Sequence, residues 1–275
     1  MTSQHDIPWR GGTATGIWVV LVATVVLFAT VSACGPSPET PTAFTVFAAS
    51  SLTEAFIDLK TAFEQSGPGV TVVYNFAGSA ALRTQLQQGA RADVFASADE
   101  VHMGSALKDG LIDGEPAIFA TNRLVVISPI DRRIASLADL TRPGLKLVLA
   151  GPDVPAGAYA RQSLAKMNGK LGLSTDFADR VLANLVSNET NVRRVVSKVA
   201  LGEADAGVAY VTDLATSART ELAALPIPDE INVLALYPIG AVRGGDMEAA
   251  RAFIAFVLSE QGQEILRARG FGGAP

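Results

Sequence analysis

From Ala43 onward, short apolar runs alternate with longer amphipathic stretches, and this pattern limits the possible folds more than any other feature of the sequence. The apolar runs are rich in Val, Phe and Leu and mostly continuous, as is typical of parallel strands covered on both faces. The predicted strands are Phe44–Ala48, Val70–Asn75, Asp93–Ala96, Leu124–Ser128, Lys146–Ala150, Ala206–Val211 and Val233–Leu236. The predicted helices are Leu52–Gln65, Ala80–Gln88, Glu100–Lys108, Ala158–Met167, Thr175–Leu185, Val192–Leu201 and Met247–Ser259. The alternation predicts an α/β fold with mainly parallel sheets flanked by helices.

The first 34 residues lie outside this pattern and predict an export signal. A polar head ends at Arg10, and an apolar stretch follows from Ile17 to Thr30. A bilayer-spanning helix needs about 20 apolar residues, so this stretch is short for a transmembrane anchor and suits a signal peptide. The run from Val31 to Cys34 resembles the lipobox of bacterial lipoproteins, in which the cysteine is lipidated. We therefore predict a signal peptide over residues 1–33 and a lipid on Cys34.

Cys34 is the only cysteine, so neither an intrachain disulfide nor a cysteine-based metal site is expected. Residues 34–42 are rich in proline and predict an extended tether between the lipid and the folded part of the chain. The net charge of −5 argues against nonspecific binding to nucleic acid. Any anion would therefore have to be attracted by local features of its site.

Small residues follow several predicted strands at the point where a helix begins, and they leave backbone N–H groups accessible. These junctions contain Ser50 and Ser51, Gly78 and Ser79, the segment Gly151–Gly157, and Asn191. A helix start exposes unpaired N–H groups and carries about half a positive charge. Three or four starts aimed at one point would supply about +1.5 to +2, which suits a dianion. The alternative is plain capping, with a capping box at Ser51–Glu54 and an N-cap at Ser79.

Enzymatic chemistry finds little support in the sequence. After signal removal the only histidine is His102, which lies in a polar predicted helix without an obvious partner. No G-x-S-x-G elbow is present. Ser163 and Lys166 match S-x-x-K, but the S-D-N and K-T-G motifs that accompany it in serine β-lactamases do not occur. We therefore expect that the protein is not an enzyme.

At the same junctions the chain resembles the bacterial molybdate-binding proteins of ABC transporters, from Phe44 to Phe271. The motifs that carry the resemblance are Thr45–Phe56, Phe76–Ser79, Ala92–Asp99, Asn122–Ile127, Val154–Ala160, Asn191–Arg193, Gly207–Asp213, Tyr237–Pro238 and Gly270–Phe271. The occurrence of all these motifs in order, with compatible spacing, makes the resemblance specific.

The resemblance implies how the oxyanion would be held. In this family the ligand accepts hydrogen bonds from two serines, from backbone N–H groups and from a tyrosine. The serines correspond to Ser51 and Ser79, the backbone donors to Ala156 and Val192, and the tyrosine to Tyr210. Molybdenum would enter the site only as the oxyanion, and no cofactor is implied.

The resemblance also implies a two-lobed fold of the type II periplasmic-binding-protein kind, with the ligand in the cleft between the lobes. One lobe would contain residues 43–122 and 238–275, and the other residues 123–237. Hinge crossings are expected near Asn122–Leu124 and Leu236–Tyr237, and ligand binding would favour closure. The turn Phe76–Ala80 departs from the more serine-rich form of many members, so the resemblance does not extend to a hydroxyl contact after Ser79.

The implied function is capture of molybdate, and of tungstate because its charge and size are nearly the same. The protein would work as a monomer at the outer face of the cytoplasmic membrane, held there by its lipid. It would deliver the anion to an ABC permease and its ATPase. Two alternatives remain open: a receptor for another tetrahedral oxyanion such as sulfate, and a surface-anchored serine hydrolase using Ser51 or Ser163.

Replacement of Cys34 by Ser tests the anchor. The variant should be released from the membrane or remain an uncleaved precursor, because the serine hydroxyl does not replace the thiol that carries the lipid. Detergent partitioning of the wild type and the variant measures this. A variant that still partitions as a mature, lipid-modified protein would contradict the lipoprotein prediction.

Overall fold

The computed structural model describes residues 43–67, 69–214 and 220–274. The predicted signal peptide, Cys34 and the tether lie outside the described residues, so their predictions stay untested. None of the helices in the described ranges is long and apolar enough to cross a membrane.

Ten strands in the described residues form two five-stranded sheets. The first sheet has the order β2-β1-β3-β10-β4 and contains β1 (Ala43–Ala49), β2 (Thr71–Ala77), β3 (Val94–Ala96), β4 (Ile112–Asn122) and β10 (Ala235–Val242). The second has the order β7-β6-β8-β5-β9 and contains β5 (Leu124–Pro129), β6 (Leu147–Ala150), β7 (Leu185–Glu189), β8 (Ala206–Tyr210) and β9 (Leu222–Pro226). The predicted α/β class with two sheets is confirmed.

Helices connect the strands and cover the sheets. They are α1 (Thr53–Gln65), α2 (Ser79–Gln87), α3 (Glu100–Lys108), α4 (Pro155–Met167), α5 (Phe177–Leu182), α6 (Val192–Ala200), α7 (Met247–Leu258) and α8 (Glu260–Ala268). Each predicted helix is present within a few residues of its predicted ends, whereas α8 and the strands β4, β7 and β9 were not predicted. Strand β4 was missed because Gly114 and Pro116 interrupt its apolar pattern and are typical of a turn.

The direction of the strands explains where a site can form. Strands β1, β2 and β3 are parallel, and β10 is antiparallel to both β3 and β4, so β10 alone runs against the others in the first sheet. In the second sheet β6, β7 and β8 are parallel, and β5 alone runs against its neighbours. The two reversed strands, β5 and β10, are the first strands that the chain forms after it crosses from one sheet to the other. The carboxyl ends of the parallel strands therefore meet at the edge where the chain crosses, the usual place for a ligand site in such sheets.

The chain passes from the first sheet to the second between Asn122 and Leu124, and it returns between β9 and β10. Strand β10 pairs with β4 from Ala235 onward, where Ala235 lies opposite Asn122. Residues 235–237, which the predicted boundary assigns to the second lobe, thus add to the first sheet. The exact limits of the two lobes stay a prediction.

Each sheet has its own packing. Beside the first sheet, the ring of Phe253 in α7 lies 5.6 Å from that of Phe44 in β1 and 5.2 Å from that of Phe63 in α1. Beside the second sheet, α6 buries a continuous valine face. Phe253 thus links α1 to β1, and the buried valines fix the inner face of α6. Both helices begin at the edge where the sheets meet.

Candidate oxyanion-binding site

All five residues that the resemblance assigned to ligand binding line one cavity. Its full lining is Ala49, Ser50, Ser51, Gly78, Ser79, Ala98, Val154, Pro155, Ala156, Val192 and Tyr210. The cavity measures about 10 Å³, close to the room that one water molecule needs. In the arrangement that the structure shows, the lining residues are close together, and a ligand larger than a water molecule requires the two sides to separate slightly.

Four helix starts surround this cavity. The chain leaves β1 through a 3₁₀ turn, Ser50–Leu52, before α1, and α2 begins at Ser79. On the other side, α4 begins at Pro155 and α6 at Val192. The N–H groups in the first turn of a helix have no partner within the helix and carry partial positive charge. The starts of α4 and α6 thus place Ala156 and Val192 at the cavity with their N–H groups available.

Neither serine has the capping role that the sequence suggested as an alternative. Because the chain enters α1 through a 3₁₀ turn, Ser51 lies inside a helical turn, and no side chain caps α1 at Leu52. The Ser51 Oγ instead lies 3.1 Å from the Tyr237 hydroxyl oxygen. Ser79 is the first residue of α2, after Gly78, so it also does not precede the helix. The predicted capping box and N-cap are therefore wrong.

The hydrogen bond made by Ser79 fixes the direction of its proton. The Ala98 N–H donates to Ser79 Oγ at 3.0 Å. A backbone N–H can only donate, so the Ser79 oxygen is the acceptor and its own proton is available to a ligand. Ala98 itself was not singled out in the sequence, although it lies within one of the family motifs.

Tyr210 brings a buried hydroxyl to the same cavity. Only 1% of the residue is exposed, and its hydroxyl makes no hydrogen bond of good geometry with the described residues, although the Tyr237 hydroxyl is a close neighbour. Burial holds the pKa of Tyr210 well above its usual value, so the side chain stays a neutral donor. A buried polar group without a partner costs about 1–3 kcal/mol, which favours a ligand that accepts a hydrogen bond here.

None of the described residues that line the cavity has a cationic side chain. Arg193, next to Val192, pairs with Glu54 in α1: its Nη1 lies 2.7 and 2.8 Å from the two carboxylate oxygens. The guanidinium is therefore neutralised by a residue from the opposite side of the cleft. No group of three or more His, Cys, Asp or Glu side chains that could hold a metal ion occurs in residues 43–67, 69–214 and 220–274.

Other contacts also cross the cleft. The His102 Nε2 lies 2.7 Å from the carbonyl oxygen of Asp153, and Asp99 lies 3.8 Å from the same nitrogen. The sequence showed no obvious partner for His102, whereas the structure gives it two: Asp99, three residues earlier, and Asp153, 51 residues away in sequence. At Gly78, an added Cβ would lie only 2.6 Å from the carbonyl oxygen of Thr190. The two sides of the cleft thus touch at their backbones beside the cavity.

The side chains of the S-x-x-K pattern have structural partners. Ser163 is buried, and its hydroxyl donates to the carbonyl of Ile231 at 2.8 Å. The Lys166 ammonium donates to the carbonyl of Asn232 at 2.8 Å. Both residues attach α4 to the segment between β9 and β10, which leaves no support for a hydrolase that uses Ser163.

Comparison with known proteins shows the family of the chain. The profile of the family described as bacterial extracellular solute-binding protein matches residues 44–272. The chain is 39% identical over 272 residues to the molybdate-binding protein ModA of Mycobacterium tuberculosis (strain ATCC 25618 / H37Rv), an alignment that covers 94% of this chain and 97% of the relative.

Two solved structures show the same fold. The periplasmic molybdate-binding protein of Azotobacter vinelandii has a TM-score of 0.70 at 21% identity, covering 83% of this chain and 98% of the other. The sulfate-binding protein SubI of Mycobacterium tuberculosis H37Rv has a TM-score of 0.75 at 18% identity, covering 83% and 86%. At these identities the likeness concerns the fold alone, and the fold serves receptors for different oxyanions.

Replacement of Gly78 by Ala tests the close approach across the cleft. The added methyl group would meet the Thr190 carbonyl, so the two sides should be unable to close fully. We expect a larger radius of gyration in solution scattering with a saturating oxyanion, and ligand binding at least about tenfold weaker because donors are pulled apart. Gly104→Ala is the matched control, since an added Cβ there meets nothing within 4 Å. Unchanged compaction and affinity in Gly78→Ala would contradict the close approach.

Proposed function

The chain belongs to the bacterial extracellular solute-binding protein family, and from that membership we propose that it captures molybdate, and also tungstate, for an ABC importer. The observation that carries the proposal is the meeting of Ser51, Ser79, Ala156, Val192 and Tyr210 at one small cavity. The high identity to a molybdate-binding relative over nearly the whole chain supports the choice of anion.

The electrostatics of the cavity suit a dianion. Four helix starts, each carrying about half a positive charge, together supply about +2 without any arginine or lysine. Serine and tyrosine hydroxyls add neutral donors, and no carboxylate lines the cavity. A fully deprotonated tetrahedral anion presents acceptors in every direction and matches this set, so a net negative protein can still bind it.

The donors around the cavity favour a compact anion whose oxygens can meet all of them. The cavity volume of about 10 Å³ corresponds to about one water molecule, so even a tetrahedral oxyanion requires the two sides to separate slightly. Sulfate remains the second candidate, because a sulfate-binding protein shares the fold. It is smaller than molybdate, so a ring of donors spaced for molybdate would leave some donors unpaired around sulfate.

The proposed location and membrane attachment of the protein are inferred from its sequence. The protein would be attached by a lipid on Cys34 to the outer face of the cytoplasmic membrane, with residues 34–42 as its tether. It would act as a monomer without a cofactor and release its anion to the permease and its ATPase. The hydrolase alternative loses its support, because neither Ser51 nor Ser163 is hydrogen-bonded to a general base among the described residues.

Calorimetric titration of oxyanions into a soluble form that starts near Ala43 tests the proposal. Molybdate and tungstate should bind with affinities within about tenfold of each other. Sulfate should bind more weakly by at least about 3 kcal/mol, because unpaired buried donors are costly. Displacement of bound molybdate by an equimolar amount of sulfate would rule out molybdate selectivity.

Removal of single donors tests the site assignment. Ser51→Ala, Ser79→Ala and Tyr210→Phe should each weaken molybdate binding about ten- to a hundredfold, because a hydrogen bond to a charged group contributes about 1.5–3 kcal/mol. Arg193→Gln should weaken it less than about fivefold, because the pair with Glu54 is about one-third exposed and such pairs contribute about 0–1 kcal/mol.

Titrations at low and moderate sodium chloride give an independent check on the donor variants. An anion held by buried dipoles should respond weakly to salt, because screening acts mainly on exposed charges. If Arg193→Gln abolishes binding while the serine variants bind normally, the assignment of the donors is wrong.

A further inference from the structure

Tyr237 lies directly behind the cavity and is not part of its lining. It belongs to β10, close to the place where the chain returns from the second sheet, and it is fully buried. Its hydroxyl oxygen lies 3.1 Å from Ser51 Oγ and 3.4 Å from Asn122 Nδ2. Tyr237 thus connects a cavity residue to the end of β4, where the chain crosses between the sheets.

The contacts of Asn122 decide the direction of this chain of hydrogen bonds. The Arg123 N–H donates to Asn122 Oδ1 at 2.9 Å, which fixes the orientation of the amide, because a backbone N–H cannot accept. The Asn122 amino group then faces Thr212 Oγ1, at 2.8 Å, and the Tyr237 oxygen. An amide nitrogen has two protons and only donates, so it supplies one proton to each of these oxygens.

The Tyr237 oxygen is therefore an acceptor toward Asn122. The Tyr210 hydroxyl also neighbours this oxygen but makes no hydrogen bond of good geometry, so we assign the single Tyr237 proton to Ser51 Oγ, 3.1 Å away. Burial raises the pKa of Tyr237 far above its usual range, so this proton stays on the hydroxyl. When Ser51 Oγ accepts it, the Ser51 proton is free to point into the cavity. The Ala98 N–H has the same effect on Ser79.

We propose that Tyr237 is a positioning residue that directs the hydroxyl proton of Ser51 toward the bound oxyanion, with Asn122 holding Tyr237 in the donating orientation. The proposal rests on the proposed function and adds a residue that would not touch the ligand. The ring of Tyr237 also packs edge-on against that of Tyr210, with centroids 5.9 Å apart, so it supports a donor from each side of the cleft.

A double-mutant cycle separates this role from a merely structural one. Tyr237→Phe keeps the ring and removes the hydroxyl, so Ser51 loses the bond that orients it. In the wild-type background we expect molybdate binding to weaken about three- to tenfold. In the Ser51→Ala background the same change should weaken binding less than about twofold, because the proton that it orients is already gone. Tyr74→Phe is the matched control, since its hydroxyl donates to the Phe56 carbonyl at 2.7 Å and does not line the cavity.

The cycle can overturn the proposal in two ways. An equal loss of affinity in both backgrounds would mean that Tyr237 acts through packing alone. No loss in either background would mean that Ser51 is oriented without Tyr237. The Tyr74→Phe variant should bind molybdate like the wild type.

Proton NMR of the ligand-free protein distinguishes a failure of this proposal from a failure of the proposed function. The buried Tyr237 hydroxyl proton should give a resonance protected from exchange that disappears in Tyr237→Phe. The chemical shift of this resonance should change in Ser51→Ala and remain the same in Ser79→Ala. Absence of the resonance in the wild type, or its indifference to Ser51→Ala, would overturn the proposal. If the wild-type protein shows the resonance but binds no oxyanion, only the proposed function is contradicted.

Discussion

Hydrogen-bond donors from both sheets face one cavity, and none of the described residues that line it has a cationic side chain. The architecture of the protein can be understood as the way in which these donors are brought to one place. A single helix start supplies too little charge to balance a dianion, so several must converge. Convergence needs strands whose carboxyl ends reach the same edge, and each sheet provides them. Among the strands of the described residues, β5 and β10 run the other way, and each is the first strand after the chain crosses between the sheets. The crossings and the donors therefore occupy the same region.

The charged side chains of Arg193 and Glu54 near the cavity pair with each other and are not among the donors that line it. Arg193 adjoins Val192, yet its guanidinium pairs with Glu54 from the opposite side of the cleft. Hydroxyls and backbone N–H groups have fixed directions, unlike a long flexible cation, and so they respond to the shape of a ligand as well as to its charge. The buried tyrosines stay protonated because of their surroundings, which keeps the donor set constant over the physiological range of pH.

The sequence predicted the strands and helices that are continuous in their pattern, and it failed where local signals pointed elsewhere. Strand β4 could not be recognised from the sequence because Gly114 and Pro116 interrupt its pattern, although a strand at the edge of a sheet tolerates both residues. The capping box at Ser51 was wrong because a 3₁₀ turn cannot be distinguished by pattern from the start of an α-helix. The candidate site residues came from the family resemblance, and physical reasoning alone had identified only the helix starts.

Contacts between distant parts of the chain could not be predicted from local patterns. Asp153 follows β6, and His102 lies in α3 beside the other sheet, so their contact exists only once both sheets are in place. Tyr237 was noticed only as part of a motif, because its role depends on Asn122, 115 residues earlier. Gly78 was noticed as a small residue at a turn, and its closeness to Thr190 is visible only in three dimensions.

The backbone contact across the cleft beside the cavity has a kinetic consequence. An ion enclosed there cannot exchange with solvent until the contacts at Gly78, His102 and Arg193 separate, so its residence time is set by how often the cleft opens. The donors then determine which ion is retained, and the surrounding contacts determine for how long. A membrane partner that separates the two sides would accelerate release of the ion without changing any donor. Two receptors with identical donors would then differ in how fast they release the ion to the transporter.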